Sequence, residues 1–199
     1  MAAGQRALQK GDYPEAEHIF AVAVKKAESQ YGFIDRRVAV ALSSEAQAFT
    51  AQGKYVEAEP AYLQALKIYQ DAHGENHVDV AATLNNLGVL HRMHGQYTEA
   101  EPLLMRALAI KERLHGPDHP DVALTLHNLG LVYVSQGVPE KAEPLYRRAL
   151  AIREKALGET HRDVEKSLGE LIGVLRKLHR DADATPLEKR LSAIKQRRS

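Results

Sequence analysis

Ten histidines are the residues with the most obvious chemistry in this sequence, because a neutral imidazole ring is a common ligand of zinc. Two pairs of them, His73 with His77 and His115 with His119, are four residues apart. A glycine separates the members of each pair, so we do not expect them to share one face of a helix. The chain has no cysteine that could add a thiolate ligand. The sequence therefore predicts no metal site and a fold that needs no metal ion.

Motifs that hold a nucleotide or build a catalytic centre are absent from the sequence. There is no G-x-x-x-x-G-K-[ST] phosphate loop, no G-x-G-x-x-G, no G-x-S-x-G nucleophile turn and no H-E-x-x-H. Carboxylates are numerous, but Glu99 and Glu101 stand near a predicted helix start, where the helix dipole stabilises negative charge without any catalytic role. We expect a protein that is not an enzyme and that binds no cofactor.

The charge balance is close to neutral, with 27 Lys+Arg against 26 Asp+Glu and a formal net charge of +1. Such a balance gives no general attraction to nucleic acid or to anionic lipid. The segment 122–138 has no charged residue, but it contains polar residues and is shorter than the ~20 apolar residues of a membrane span. The N-terminus has no apolar core flanked by basic residues, so the sequence predicts no signal peptide and favours a cytoplasmic protein.

Much of the sequence recurs at an interval of 42 residues. The octapeptide GQYTEAEP at 95–102 returns as GKYVEAEP at 53–60, as GVPEKAEP at 137–144 and as GDYPEAEH at 11–18. One column of this repeat contains only alanine, and another contains histidine in three successive periods. The alanine column is Ala16, Ala58, Ala100, Ala142 and Ala184, and the histidine column is His77, His119 and His161. A period of this length predicts a stacked array of similar units, in which the histidines, each just before a helix start, cap helices or pack in loops.

Each period contains the signals of two helices. The stretch 97–116 carries apolar residues at helical spacing and ends at Gly116, as expected of a helix terminated by glycine. A second helix is predicted to begin at Pro120 and Asp121 and to end before Gly137. Small residues in both helices would allow them to approach closely.

The spacing of the large and small residues resembles that of a known family. One helix carries a large apolar residue, a Leu-Gly pair and an aromatic residue, and the next carries an alanine and an aromatic residue. These residues are Leu126, Leu129, Gly130, Tyr133, Ala142 and Tyr146. The pattern resembles the tetratricopeptide repeat (TPR), and the 42-residue period with the segment LHGPDHPDVA resembles the longer variant found in kinesin light chains.

The resemblance implies an all-α fold, a right-handed superhelical solenoid of antiparallel TPR helix pairs with about four to five repeats. We expect one continuous domain over residues 1–199 whose first and last repeats are atypical. The repeats are approximately 1–34, 35–76, 77–118, 119–160 and 161–199.

Several positions depart from the repeat. Glu45 stands where other repeats have leucine, and its carboxylate must be paired or reach water. The last repeat loses a packing glycine, a turn glycine, a packing alanine and an aromatic position, as a capping repeat with a polar outer face would. The replacements are Ile172, His179, Leu191 and Glu188. The basic segment 189–199 lacks interleaved aromatic residues, which favours a solvated end over a nucleic-acid site.

The resemblance also implies a function, namely a protein-interaction module that holds an extended peptide in a concave groove. The groove side chains come from the first helix of each repeat, beside the packing Leu-Gly pair and one turn further along. Asn86 and Asn128, one period apart, are expected to hydrogen-bond the peptide backbone. The expected groove residues are Asn85, Asn86, Val89, Arg92, His127, Asn128, Leu131, Lys166, Glu170 and Arg176.

The charges in this expected groove favour a partner protein or peptide with some acidic character, because Arg92, Lys166 and Arg176 supply cations. Capture of a C-terminal carboxylate is not expected, since Glu170 stands where a carboxylate-binding TPR clamp has a cation. The alternative hypothesis is a structural or spacer segment of a larger assembly, which self-associates through its terminal helices rather than using the groove.

Overall fold

The computed structural model describes residues 1–196 and contains ten α-helices within that part of the chain. Arg197, Arg198 and Ser199, which end the predicted basic segment, lie outside the described residues. The helices are α1 Ala2–Lys10, α2 Tyr13–Tyr31, α3 Arg36–Ala51, α4 Tyr55–His73, α5 Val78–Met93, α6 Tyr97–His115, α7 Pro120–Ser135, α8 Pro139–Leu157, α9 Arg162–Lys177 and α10 Asp181–Gln196.

Two kinds of helix alternate along the chain, as the sequence predicts. The A helices are α1, α3, α5, α7 and α9, and the last four of them have 16 residues each. The B helices are α2, α4, α6, α8 and α10, and the first four have 19 residues each. Helix α1 has only 9 residues, so the first repeat has a short A helix.

The predicted capping role of the repeated histidines is confirmed. Nδ1 of His77, His119 and His161 accepts a hydrogen bond from the backbone N–H two residues later, at 3.2, 3.2 and 3.1 Å respectively. In the equivalent position of the second repeat, the Asp35 carboxylate accepts the N–H of Arg37 at 2.8 Å. Side-chain and backbone hydrogen bonds from Arg37 lower the pKa of the Asp35 carboxyl to about 2. Each cap satisfies a backbone donor that the first turn of a helix leaves unpaired.

Small residues set the distance between paired helices. Every member of the alanine column, from Ala16 to Ala184, has no exposed surface. A Cβ added to Gly88 would lie 2.6 Å from Cγ of Leu104, and one added to Gly130 would lie 2.5 Å from Cε1 of Tyr146. The predicted close approach of the two helices of a repeat therefore occurs, and it leaves no room for a larger residue at these points.

The chain divides into two compact units, Met1–Ile110 and Lys111–Ser199. In the first unit, consecutive helices from α1 to α5 pack against each other. Their buried apolar residues form a large cluster across α2 to α6 and a smaller one between α1, α2 and α3. In the second unit, α7, α8, α9 and α10 pack in the same consecutive manner. The expectation of one continuous domain stays a prediction.

The last repeat keeps its packing while exposing one face, as expected of a capping repeat. Ala184 and Ile194 of α10 are buried, whereas Glu188 takes the place of the usual large side chain. Arg176 of α9 donates to Oε1 of Glu188 from Nε and Nη2 at 2.8 and 2.6 Å. His179 replaces the turn glycine and adopts a left-handed backbone conformation, with φ of 56°. Such a conformation is unfavourable for a residue with a Cβ atom.

Glu45 is half-buried in α3 and forms no ion pair among the described residues. Burial raises the pKa of the Glu45 carboxyl, and the nearby carboxylates of Glu17 and Glu28 raise it further. Lys54 already pairs with Glu17 at 2.7 Å. Glu45 is therefore an ionisable residue at a packing position where leucine would be favoured.

Replacing Ala142 with leucine tests the packing of the alanine column. The larger side chain has no space against the paired helix, so we expect a loss of about 1–3 kcal/mol in unfolding free energy. Ala156→Leu in the same helix is the control, because Ala156 is exposed. Denaturant unfolding followed by circular dichroism measures both variants. Equal stability of Ala142→Leu and the wild type would show that this column does not set the helix separation.

Replacing Glu45 with glutamine tests the cost of its ionisation. The folded-state pKa of Glu45 is raised above its unfolded value, so the folded state is penalised as pH rises through that interval. We expect Glu45→Gln to melt at a higher temperature than the wild type at pH 7, with the gain disappearing below about pH 4. Thermal melts across this pH range give the comparison. A gain that persists unchanged at low pH would mean that ionisation is not its cause.

Candidate peptide-binding groove

The groove residues predicted on α5 differ in their environment. Asn85 is buried, with 5 % of its surface exposed, and its side chain already interacts within the protein. Asn86 is half-buried, and no hydrogen bond to its side chain forms in the part of the chain that the structure describes. Only Asn86 of these two neighbours therefore presents a free amide.

A pocket of about 220 Å³ opens between α3 and α5 in the first unit. Asn86 and Val89, both predicted as groove residues, lie together in its wall. The complete lining is Gln47, Thr50, Ala51, Tyr62, Asn86, Val89 and Met93. A pocket of this size is smaller than the ~300–1,000 Å³ typical of sites for small-molecule ligands, but it can hold a single side chain.

A second pocket, of about 290 Å³, adjoins the first pocket and shares Gln47 and Ala51 with it. It lies between α1 and α3. Its lining is Gln5, Leu8, Gln9, Tyr13, Gln47 and Ala51. We name the two pockets together the amide-lined trough, because the amide side chains of Gln5, Gln9, Gln47 and Asn86 line it.

The trough residues on the A helices occupy equivalent positions of the repeat. Gln5 of α1, Gln47 of α3 and Val89 of α5 are each 42 residues apart, and so are Gln9, Ala51 and Met93. Sequence reasoning did not select Gln5, Gln9, Ala51 or Met93 as site residues. The 42-residue period could have identified Gln5, because it lies two periods before Val89, a predicted groove residue, and Gln47 lies one period before it.

Two hydroxyl groups at the wall of the trough, those of Thr50 and Tyr62, have defined hydrogen-bonding or protonation states. The hydroxyl of Thr50 donates to the carbonyl oxygen of Ala46 at 2.7 Å. Burial raises the pKa of the Tyr62 hydroxyl to about 12, although a hydrogen bond with Thr50 opposes that shift. Tyr62 is therefore neutral at physiological pH. Gln47 is exposed and makes no hydrogen bond with any described residue.

In the second unit, the predicted groove residues interact with each other. Nδ1 of His127 lies 2.5 Å from Oε2 of Glu170, in a contact whose angles fall short of hydrogen-bond geometry. His127 is 3 % exposed, and its ring centroid lies 6.0 Å from that of Tyr146. Asn128 is 9 % exposed and also interacts within the protein. These three predicted groove residues are therefore engaged in contacts within the second unit.

The predicted cations of the groove differ in their ion pairing and in their exposure. Arg176 pairs with Glu188, and Nη1 of Arg176 lies 3.5 Å from Asp181. Arg92 is half-buried, and its Nε atom is buried without a hydrogen bond among the described residues. Lys166 is exposed at the edge of a polar pocket of about 330 Å³ in the second unit. Leu131, the remaining predicted residue, is half-buried in α7.

Two buried cations that sequence reasoning did not single out join helices of the second unit. The ammonium group of Lys111 donates to Oγ1 of Thr125 at 2.9 Å, and Arg153 donates to Oγ of Ser167 at 2.5 Å. Burial lowers the pKa of both side chains. Lys111 and Arg153 are one period apart, and each reaches the first turns of the following A helix. Their role is structural, since a buried charge requires such polar partners.

The His73–His77 pair comes closer together than the sequence suggested. The glycine between the two histidines ends α4, yet the two rings stack with centroids 4.2 Å apart beside Asp79. Ligand atoms of these three residues lie within 4.8 Å of one another. However, Nε of Arg36 donates to Asp79 at 3.1 Å, and its positive charge opposes a metal ion there. The absence of a metal requirement stays a prediction.

Among the described residues, no helix is long and apolar enough to cross a membrane.

The family follows from comparison with known proteins. A family model described as tetratricopeptide repeat matches residues 37–113 and 94–155, which together cover more than half of the chain. This chain belongs to the TPR family. Proteins built from this repeat act in protein–protein interactions, and such scaffolds are generally non-catalytic. A comparison with curated protein sequences gave no match.

Solved structures with the same fold include kinesin-light-chain-like proteins. The chain is similar to BtubC (BKLC) from P. vanneervenii, with 25% identity, a TM-score of 0.83 and coverage of 97% of this chain and 77% of that one. It is also similar to a putative kinesin light chain with nearly identical TPR-like repeats from Podosopora anserina. That match has 24% identity, a TM-score of 0.83 and coverage of 100% and 94% respectively. The all-α TPR solenoid and its kinesin-light-chain-like character are thereby confirmed.

A third similar structure is aspartyl phosphate phosphatase F from Bacillus subtilis, with a TM-score of 0.81. At 20% identity it shows the fold alone, and the match covers 98% of this TPR chain but only 49% of that protein. One fold thus occurs in proteins of different activity, so function has to be argued from the site.

Proposed function

We propose that this TPR protein is a non-catalytic interaction module that binds an extended peptide segment of a partner protein along the inner face of its A helices. The amide-lined trough of the first unit carries the proposal. Gln47 and Asn86 present side-chain amides there without internal hydrogen-bond partners. A primary amide can donate and accept simultaneously, which matches the N–H and C=O groups of an extended backbone. Binding of proteins or peptides is also what TPR proteins generally do.

The second unit has a different role in this proposal. His127, Asn128 and Glu170 take part in internal contacts, so they support the A helices rather than hold the peptide. An acidic partner is not part of the proposal, because the carboxylates of Glu188 and Asp181 already pair with Arg176.

The alternative function, a structural segment that assembles through its terminal helices, makes a different prediction for the purified chain. Such a protein would form larger species as its concentration rises, and changes in the trough would leave those species intact. Multi-angle light scattering of the wild type and of a trough variant separates the two functions.

The substitution Asn86→Ala tests the proposed function. An array of random peptides provides binders of the wild-type chain, and calorimetry then gives their affinities for each variant. Loss of one or two hydrogen bonds should weaken binding by about 0.5–1.5 kcal/mol per bond, or roughly twofold to tenfold for each. We expect the melting temperature to stay unchanged, because Asn86 makes no internal hydrogen bond.

The matched control is Asn76→Ala, which removes an exposed amide from a loop of the same unit. This control should bind the selected peptides as the wild type does. Wild-type affinity in Asn86→Ala, for every selected peptide, would contradict the proposed role of the trough. Failure of the wild-type chain to bind any peptide, together with concentration-dependent assembly, would favour the structural alternative.

A further inference from the structure

We propose that the amide-lined trough selects a peptide stretch without charged side chains and seats one aliphatic or aromatic side chain against Tyr62, Val89 and Met93. This inference rests on the proposed function, because it specifies which peptides the trough accepts.

The first part of the inference, the preference for an uncharged peptide stretch, rests on the residues that line the trough. It contains four amides, one threonine, two tyrosines and four apolar residues, and no carboxylate, ammonium or guanidinium group. A charged peptide side chain placed there would lose hydration without gaining an opposite charge. Tyr62 does not compensate, because its hydroxyl stays neutral. The trough therefore favours a neutral segment.

Two charged residues on neighbouring helices, Arg92 and Glu17, do not change this conclusion. Arg92 occupies the position of Thr50 in the next A helix, but it lines neither pocket. Glu17 beside α3 is already paired with Lys54, and Gln52 also donates to it at 2.6 Å. These charges lie outside the lining that a peptide would contact.

The second part of the inference, that one apolar side chain is seated here, rests on the size and chemistry of the pocket between α3 and α5. Its volume of about 220 Å³ exceeds the ~150 Å³ of a protein cavity that is known to hold benzene. The side chain of a leucine, methionine or phenylalanine therefore fits. Ala51, Val89 and Met93 provide apolar contacts, and a methionine side chain adapts to different shapes. Asn86 and Gln47 at the same pocket can bond the peptide backbone on either side of the buried side chain.

Three matched peptide libraries test the inference on the full chain. All peptides are acetylated and amidated and have the same apolar content, while their variable polar positions are neutral, acidic or basic. We expect neutral peptides with a leucine, methionine or phenylalanine at one position to dominate the binders by roughly tenfold. Their affinity should stay constant when NaCl rises from about 0.01 M to about 0.15 M, although the Debye length falls from about 30 to about 8 Å.

Two variants show where these peptides bind. Ala51→Phe places a ring in both pockets, and because Ala51 is exposed the fold should tolerate it. We expect roughly tenfold weaker binding of the neutral peptides. The control is Ala72→Phe, which adds the same ring at an exposed position of α4 that lines neither pocket. Gln47→Lys introduces a cation, so this variant should gain affinity for the acidic library.

The outcomes separate the inference from the proposed function. Selection of acidic or basic peptides, or an affinity that falls steeply with salt, overturns the inference while leaving peptide binding intact. Equal binding by Ala51→Phe and Ala72→Phe also overturns it, because the pocket would then be unused. Binding of no library by the wild-type chain overturns the proposed function and the inference together. Self-association that Ala51→Phe abolishes would show that a second copy of the chain fills the trough, which also contradicts the inference.

Discussion

The small residues between the two helices of each repeat are the constraint on which the rest of this structure depends. Gly88 faces Leu104 and Gly130 faces Tyr146 at distances that exclude even a methyl group. Gly4 faces Phe20 at a similar distance, so in these three repeats the contact fixes how the A helix lies on its B helix. Equivalent positions of successive A helices are then presented in register, as Gln5, Gln47 and Val89 are in the first unit. The trough is a consequence of this register.

Charge pairing then decides which inner-face positions remain available to a ligand. In the second unit, His127 contacts Glu170 and Arg176 pairs with Glu188, so polar groups of the inner face are used internally. In the first unit, Gln47 and Asn86 have no such partners among the described residues. Equivalent positions of the repeat therefore hold internally paired polar groups at His127 and Arg176 in the second unit and a neutral trough in the first.

The helices and caps were predictable from the sequence because they depend on local signals. The 42-residue period, the glycine stops and the residues before each helix start gave the alternation of A and B helices and the role of His77. Of the site, the same period gave Asn86 and Val89, and Gln47 lies one period before Val89. These local signals recur in successive repeats, so a single sequence indicates the same helix boundaries and caps several times.

The state of each groove side chain was not predictable, because it depends on neighbours from other helices. Asn86 and Asn128 are equivalent in the repeat, yet Asn86 is open and Asn128 is buried and engaged. The pairing of Arg176 with Glu188 likewise depends on the replacement of a large side chain in the last B helix. A period identifies equivalent positions, but the partner of each side chain is set by residues that differ between repeats.

The most direct test of the central claim, that a partner peptide lies in the amide-lined trough, is a nuclear magnetic resonance titration of the full chain with a peptide selected on it. The account predicts that the side-chain amide signals of Gln47 and Asn86 shift on binding, while those of Asn76 and Gln70 stay in place. Shifts confined to α10 or to the loops, with Gln47 and Asn86 unchanged, would contradict it.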